Sequence, residues 1–300
     1  MRLCIETGGT YIRVAVLDKS KGETAPSNFE KFSNTSFEEV ENHILEYAKK
    51  HGGKFAELAV SSFGPINLDR KHENYGKLLT SPSEAKKSWL QKSLTMELAK
   101  KLDIPIEKTY LNTDVTGAAL GELIFGHHPN KSGTLVYITV GTGVGVGAVV
   151  DGKPIRGRLH PEGGHVMIVK DEREAKYEGF HGPCSCHRNC VENMITNYAI
   201  AERYKCSIEE LPKIADTEPI WDIIANYLAQ LCLSLTYTLS PHVIVIGGGV
   251  VLKRKQVLPA VREYLKKFNN NYVQLPPLED YIQETQVNEN GLHGSASYMD

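Results

Sequence analysis

Apolar residues along the chain follow two different periods. Runs rich in β-branched residues predict short strands at residues 2–7, 11–17, 57–62, 109–112, 134–140, 148–150 and 243–246. Apolar residues at helical spacing predict helices at residues 88–102, 114–125 and 220–239. Another helix is predicted to begin at the capping box formed by Ser36 and Glu39. Strands followed by helices predict an α/β architecture with mixed sheets.

One arrangement, a strand followed by a glycine turn and a second strand, occurs twice. It spans residues 2–17 and residues 134–150, and a third glycine turn follows the strand at 243–246. This weak internal repeat predicts two similar lobes. We place the smaller lobe at residues 1–112, joined by a C-terminal helix at about 290–300. The larger lobe then covers residues 113–289.

Composition and charge exclude several classes of protein. The 300 residues are 41% hydrophobic and 23% charged, which excludes a disordered chain, a collagen and a disulfide miniprotein. With 34 basic and 36 acidic residues, the net charge of −2 does not favour a nucleic-acid partner. Arg2 opens directly into a strand-like run, so we expect no signal peptide. The apolar stretch at 220–239 contains Asp222, Asn226 and Gln230 and is predicted to be a core helix rather than a membrane span. We therefore expect a soluble cytoplasmic protein.

The glycine turns are candidate phosphate-binding sites. Glycines let the backbone approach a phosphate closely, and their N–H groups can form an anion cradle. The residues concerned are Gly8, Gly9 and Thr10 in one turn and Gly141, Thr142 and Gly143 in the other. Ordinary hairpin turns are the alternative. Neither turn has the lysine of a Walker A loop or the helix that directly follows a dinucleotide fingerprint.

Asp114 follows a predicted strand and opens a predicted helix. One interpretation is a plain helix N-cap, which position alone favours. The other is a general base, because strand ends in α/β folds commonly meet ligands.

A cluster of thiols and imidazoles predicts a metal site. The segment supplies Cys184, Cys186, His187 and Cys190, and either His165 or His181 can complete a set of four. Such soft ligands favour tetrahedral zinc, and a closed site would be structural rather than catalytic. Free cytosolic cysteines are the alternative. Glu162 and Glu192 flank this segment, either as solvated loop acids or as acceptors for the hydroxyls of a polar ligand.

Six motifs in order give the chain a family resemblance. They are residues 5–10 (IETGGT), 62–66 (SFGPI), 114–122 (DVTGAALGE), 139–145 (TVGTGVG), 160–165 (HPEGGH) with Cys190 and Glu192, and 240–241 (SP). Together they resemble the ROK family of sugar kinases and regulators over nearly the whole chain. The fructokinase branch that contains zinc is the most similar. The resemblance implies a two-lobed actin/hexokinase-like (ribonuclease H-like) α/β fold with a zinc-bearing loop.

The resemblance also implies roles for individual residues. Gly8, Gly9 and Thr10 would meet phosphates from one lobe, and Gly141, Thr142 and Gly143 from the other, with Glu6 near Mg²⁺. Asp114 would be the base. The sugar would be held by Gly64, Thr113, Glu162, His165 and Glu192. The adenosine site would be lined by Gly248, Gly249, Asn288 and Gly291. Zinc would be bound by His165, Cys184, His187 and Cys190, with Cys186 as the alternative to His187.

The activity implied is ATP-dependent phosphorylation of D-fructose to fructose 6-phosphate by a homodimer. A kinase for glucose, mannose or an N-acylhexosamine is the alternative within the class. A sugar-responsive regulator is the alternative outside it, but such regulators carry a helix-turn-helix before the first glycine turn, and Gly8 lies too near Met1 for one. A binding protein without chemistry is the last alternative, and the presence of both Asp114 and the glycine turns argues against it.

Overall fold

The computed structural model describes residues 1–26, 28–80, 84–128 and 130–298. Its strands are β1 (Arg2–Thr7), β2 (Tyr11–Leu17), β3 (Phe29–Ser33), β4 (Glu57–Ser62), β5 (Thr109–Thr113), β6 (Leu135–Val140), β7 (Val144–Val150), β8 (Lys153–Pro154), β9 (Val243–Gly247) and β10 (Ile282–Glu284). Its α-helices are α1 (Phe37–Lys50), α2 (Leu94–Lys101), α3 (Asp114–Phe125), α4 (Val191–Ile195), α5 (Asn197–Tyr204), α6 (Ile220–Leu239), α7 (Gly249–Leu252), α8 (Val257–Asn269), α9 (Leu278–Tyr281) and α10 (Asn290–Ala296).

The chain forms two compact units. The first comprises residues 1–131, 147–161 and 287–300, and the second comprises residues 132–146 and 162–286. These bounds differ from the lobes predicted above, because α3 and residues 147–161 belong to the first unit. The predicted C-terminal helix corresponds to α10, and residues 299–300 lie outside the described residues.

The first unit contains a five-stranded sheet in the order β3-β2-β1-β4-β5. β1 and β2 form the expected antiparallel hairpin, with Thr7 opposite Ile12, while β4 and β5 continue the sheet in parallel. Helix α1 begins at the predicted capping box, in which the Ser36 side chain accepts from the Glu39 amide. Its apolar stripe, including Val40 and Ile44, packs in the same core as the sheet.

The region between β4 and β5 differs from the prediction of one helix at 88–102. A 3₁₀ helix ends at Trp89, and α2 begins only at Leu94, where the Ser93 side chain accepts from the Met96 amide. Leu90 instead forms an isolated bridge with Leu78. The apolar residues of this segment therefore belong to two separate elements, the 3₁₀ helix and α2.

Helices α3 and α10 pack at very short range in the first unit. A Cβ on Gly294 would overlap the backbone of Gly117, and one on Gly121 would overlap the backbone of Asn290. Only hydrogen in place of a side chain permits this approach. The contact holds the C-terminal helix against the helix that begins at Asp114.

The second unit is built around a sheet with the order β10-β9-β6-β7-β8, in which β6, β9 and β10 are parallel. The boundary between the units falls within β7. Every residue of β9 is buried, and α6 buries the predicted stripe of Ile220, Ile223, Ile224, Tyr227, Leu228, Leu231 and Leu235. Among the described residues, no helix has the length and apolar character needed to cross a membrane.

Candidate active site and metal centre

The first glycine turn is exposed and braced from one side. The Gly8 amide donates to the Tyr11 carbonyl at 2.9 Å, which closes the turn between β1 and β2. Asn34, which follows β3, forms two hydrogen bonds to this turn. The Asn34 backbone amide donates to Thr10 O at 2.8 Å, and Asn34 Nδ2 donates to Gly8 O at 2.6 Å. A Cβ on Gly9 would meet nothing within 4 Å, so the backbone there is open to a ligand.

Glu6 lies on β1, two residues before this turn. It sits opposite Arg13 in the hairpin register, and Arg13 Nη1 lies 3.3 Å from its Oε2. Arg13 also pairs with Glu289 at the start of α10. Burial raises the pKa of Glu6 to about 7, Arg13 opposes this, and the charge of Asp114 adds to it. Glu6, the residue predicted to lie near Mg²⁺, is thus a largely buried carboxyl group whose pKa is raised by the negative charge of Asp114.

Asp114 is the first residue of α3, and it is not the residue that caps the helix. Thr113 is the N-cap, because its Oγ1 accepts from the Thr116 amide at 3.2 Å. The Asp114 carboxylate accepts from the neighbouring Val115 amide at 2.8 Å. Thr113 itself is buried, and its hydroxyl also donates to the Thr116 hydroxyl at 2.7 Å. Thr113 is therefore the capping residue, and Asp114 accepts a hydrogen bond from an amide of the first turn of α3.

The loop that carries Gly64 follows β4 and rests on His160. The Phe63 amide donates to Thr7 O at 2.8 Å, so the loop begins beside the first glycine turn. The Ile66 amide donates to His160 Nε2 at 3.2 Å, and a Cβ on Gly64 would lie 3.1 Å from the same ring. Burial lowers the pKa of His160, which keeps the ring neutral and able to accept. His160 begins the 160–165 motif, but no role was predicted for it.

The second glycine turn is closed by a hydrogen bond of 2.9 Å from the Gly141 amide to Gly143 O. Glu192 approaches from α4, and its Oε2 accepts from the Val144 amide at 3.0 Å. A Cβ on Gly143 would lie 2.9 Å from that oxygen, so this glycine is needed for the approach. Thr142 lies between these residues at the tip of the turn.

The predicted sugar-binding acids of the second unit lie around His165. Its Nε2 is 3.7 Å from Glu192 Oε1. Partial burial raises the pKa of the Glu162 carboxyl, His165 opposes this, and Glu192 adds to it. The charges of these three side chains thus influence one another within the second unit.

Four of the candidate zinc ligands converge. The ligand atoms of His165, Cys184, His187 and Cys190 all lie within 4.8 Å of one another. Nδ1 of His165 is 3.9 Å from Cys184 Sγ and 3.6 Å from Cys190 Sγ, and Nδ1 of His187 is 3.8 Å from Cys184 Sγ. Zinc with bonds of roughly 2.0–2.3 Å needs tetrahedral donors about 3.3–3.8 Å apart, so the three separations given are close to those that this ion requires.

Cys186 points elsewhere. It is exposed, and its Sγ lies 3.8 Å from the Ser185 hydroxyl. Of the two alternatives left open by the sequence, the cluster therefore contains His187. Burial raises the pKa of the Cys190 thiol to about 12 when no metal is bound.

Asn193, which the sequence analysis missed, organises the loop around these ligands. Its Oδ1 accepts from the Cys184 amide at 2.8 Å, and its Nδ2 donates to His181 O and Arg188 O at 2.9 Å each. The side chain is fully buried. His181 thus contributes its carbonyl to the loop, and its ring nitrogen Nδ1 lies 3.2 Å from Arg188.

A cavity of about 230 Å³ opens in the second unit. It is lined by Gly141, Asn197, Ile200, Ile208, Leu211, Pro212, Trp221, Gly249, Val250, Lys253 and Arg254. The Arg254 guanidinium stacks 4.3 Å from the Trp221 ring. The mixture of an apolar wall and cations beside the Gly141 turn suits a nucleoside attached to phosphates.

The four residues predicted to line an adenosine site are divided between the units. Gly249 lines the cavity, and Gly248 precedes it with a φ of +93°, where a Cβ would overlap the Val140 backbone. Asn288 and Gly291 belong to the first unit. There a Cβ on Gly291 would lie 2.7 Å from the Glu6 carboxyl group, so Gly291 makes room for Glu6.

The model of the ROK family matches residues 2–300. This chain belongs to the ROK family. It is 33% identical to the fructokinase of Streptococcus mutans and 34% identical to that of Lactococcus lactis subsp. cremoris, in each case over 96% of this chain and 92% of the relative.

The fold of a solved ROK glucokinase from Streptomyces griseus, in complex with glucose and AMPPNP, is also similar. It matches with a TM-score of 0.71 over 98% of this chain and 97% of that one, at 19% identity. The ROK hexokinase of Thermus thermophilus matches with a TM-score of 0.72 at 20% identity, over 98% of this chain and 96% of the other. The predicted family and the predicted actin/hexokinase-like α/β fold are confirmed.

Proposed function

We propose that this ROK protein is a fructokinase that transfers the γ-phosphoryl group of ATP to O6 of D-fructose. The observation that carries the proposal is the similarity to fructokinases, which extends over nine-tenths of their length. The geometry supports it with an aspartate that does not cap its helix, two braced glycine turns and a cavity suited to a nucleoside.

Asp114 is proposed as the general base. Its carboxylate is fixed at the start of α3 by the Val115 amide, and it would accept the proton of the sugar O6 hydroxyl as that oxygen attacks. Glu162, His165 and Glu192 would accept and donate hydrogen bonds to the sugar hydroxyls. Gly64 and Thr113 would shape the pocket through the backbone, since the Thr113 hydroxyl is already engaged.

The amides of Gly9 and Thr10 in one turn, and of Thr142 and Gly143 in the other, would bind the phosphates, because the Gly8 and Gly141 amides close the turns. Gly9 and Thr10 are exposed on one turn, and Gly141 both closes the other turn and lines the cavity. Mg²⁺, when bound, neutralises charge on the transferring group. Glu6 would hold it together with the nucleotide phosphates, since one or two carboxylates and phosphate oxygens are the usual ligands of this ion.

We propose one structural zinc ion, held by His165, Cys184, His187 and Cys190. Two thiolates and two imidazoles satisfy tetrahedral zinc and leave no open position for water. The ion would make the loop rigid and so hold Glu192 and His165 in place.

A coupled assay of the purified enzyme with ATP and a panel of hexoses tests the activity. We expect the highest kcat/KM with fructose, and release of fructose 6-phosphate. A higher kcat/KM with glucose, mannose or an N-acylhexosamine would show that this other sugar, and not fructose, is the preferred substrate. Absence of turnover with every sugar, despite saturable sugar binding, would instead favour a binding or regulatory protein.

We also propose a homodimer assembled through the second unit. Closed two-fold dimers are the commonest oligomers. Met167 and Val169 of this unit are apolar residues with exposed fractions of 58% and 77%, which favours burial against a second copy. A sedimentation mass of one chain at micromolar concentration would contradict it.

A further inference from the structure

Lys86 is a buried lysine that the proposed mechanism does not use. It lies on the 3₁₀ helix that ends at Trp89, and only 8% of its surface is exposed. Its ammonium nitrogen donates to Asn34 O at 3.2 Å and lies 5.3 Å from the centre of the Phe63 ring. Phe63 in turn packs edge-on against Trp89, with ring centres 5.0 Å apart.

The charge of this ammonium group is not balanced by the described part of the chain. An ammonium group has three donors, and one carbonyl and one aromatic face occupy only part of this capacity. Among the carboxylates whose side chains the structure describes, which do not include that of Glu84, none pairs with it. Burial removes water from the Lys86 ammonium group and lowers its pKa to about 8. A buried cation in these surroundings is costly to the folded protein unless an anion joins it.

The position of Lys86 indicates which anion. Its partner Asn34 is the residue that braces the first glycine turn, through hydrogen bonds to Gly8 and Thr10. Its other neighbour, Phe63, donates its amide to Thr7, the residue before that turn. Two separate contacts thus hold the ammonium group against residues that bond to this turn and to the strand before it, and the backbone at Gly9 is open to a ligand.

We propose that Lys86 is a phosphate-binding residue of this enzyme, whose ammonium group contacts the phosphoryl group held at the Gly8–Thr10 turn. The inference rests on the proposed kinase function. A lysine is a point charge on a flexible stem, so it can follow a phosphoryl group from the nucleotide to the sugar phosphate. In a buried setting its attraction for the phosphoryl oxygens is stronger than in water.

Substitutions at Lys86 and at its neighbour provide the test. Lys86→Met removes the charge but keeps most of the volume beside Phe63, and Lys86→Arg keeps the charge. Lys87→Met is the matched control, because Lys87 is the next residue of the same helix and is exposed. Calorimetry measures the affinity of each protein for AMPPNP with Mg²⁺ and, separately, for fructose 6-phosphate, and a coupled assay measures turnover.

We expect Lys86→Met to weaken at least one of these affinities, and to lower kcat/KM for ATP, by roughly 10- to 100-fold. Lys86→Arg should recover at least half of the loss, and Lys87→Met should stay within twofold of the wild type. Loss of AMPPNP affinity alone assigns the contact to the nucleotide phosphate. Loss for fructose 6-phosphate alone assigns it to the product, and loss for both assigns it to the shared position.

Thermal unfolding separates this role from a structural one. Because Lys86→Met removes an unbalanced buried charge, its midpoint should equal or exceed that of the wild type. A lower midpoint together with lost activity would give Lys86 a structural role and overturn the proposal, as would affinities equal to those of Lys87→Met. The AMPPNP measurement does not depend on the sugar, so a wild type that ignores fructose would overturn the proposed substrate and leave this inference standing.

Discussion

Glu192 accepts a hydrogen bond from the Val144 amide at 3.0 Å, directly after the second glycine turn. Its other carboxylate oxygen lies 3.7 Å from Nε2 of His165, whose Nδ1 faces the two thiols of the metal cluster. A carboxylate on the far nitrogen of a metal-bound histidine fixes the orientation of the ring. One side chain thus joins the proposed zinc site to a proposed phosphate-binding turn.

This connection predicts that zinc removal disturbs the turn as well as the loop. Cys190→Ser should contain no zinc, melt at lower temperature and lose at least roughly tenfold in kcat/KM, because metal binding stabilises the folded loop. Serine keeps the N-cap that Cys190 provides to α4, so helix capping is preserved. Elemental analysis, thermal unfolding and a coupled assay measure the three effects.

Cys186→Ser is the matched control for this experiment, because Cys186 is exposed and lies outside the cluster. It should keep about one zinc ion per chain and wild-type activity. If Cys186→Ser loses zinc while His187→Ala retains it, Cys186 and not His187 is the fourth ligand. Absence of zinc from carefully purified wild type would remove the metal site.

Asp114→Asn tests the proposed base. The substitution keeps the shape of the side chain but removes the proton acceptor, so turnover should fall by roughly 10²–10⁴-fold. Because Thr113 caps α3, the melting temperature should change little, and fructose affinity should be retained. Steady-state kinetics, sugar binding and thermal unfolding give the three values. A folded Asp114→Asn enzyme with normal turnover would exclude Asp114 as the base.

His160 predicts a pH dependence of stability. Burial lowers its pKa below the ordinary value of 6.5, so the folded protein resists a proton that the unfolded chain accepts. As the pH falls through 6.5, the unfolded state binds more protons than the folded state, and the free energy of unfolding decreases. Protonation would also remove the acceptor that Ile66 uses.

Thermal unfolding at about pH 7.5 and about pH 5.5 measures this contribution. Between the higher and the lower pH, the melting temperature of the wild type should fall further than that of His160→Gln. Glutamine presents a carbonyl acceptor and does not titrate. Equal losses in the two proteins would show that His160 does not contribute to the acid sensitivity.

Gly294→Ala tests the close packing of α3 against α10. The new methyl group would overlap the Gly117 backbone, which cannot move as a side chain does, so the free energy of unfolding should fall by at least about 1–3 kcal/mol. Gly157→Ala is the control, because its Cβ would approach nothing nearer than Leu159 O at 3.7 Å. Denaturant unfolding of both variants measures the difference, and equal stability would refute the packing argument.

Local signals in the sequence predicted several elements well. Helices α3 and α6 have the bounds expected, and the β1–β2 hairpin turns at Gly8–Thr10 as expected. Capping, helical spacing and turn residues act over a few neighbours, so they can be read from the sequence. The same reasoning failed at 88–102, because the bridge between Leu90 and Leu78 joins distant parts of the chain.

Residue chemistry by itself determined the candidates for the site: the thiols and imidazoles of the metal cluster, the two glycine turns and Asp114. Only the tertiary structure placed His187, and not Cys186, in the cluster, since both residue types can bind zinc and only one faces the other ligand atoms. It alone showed the contacts of His160 and Asn193 and the buried setting of Lys86, whose types are ordinary in a sequence. Their importance comes from burial and from hydrogen-bond partners distant along the chain, and these exist only once the chain has folded.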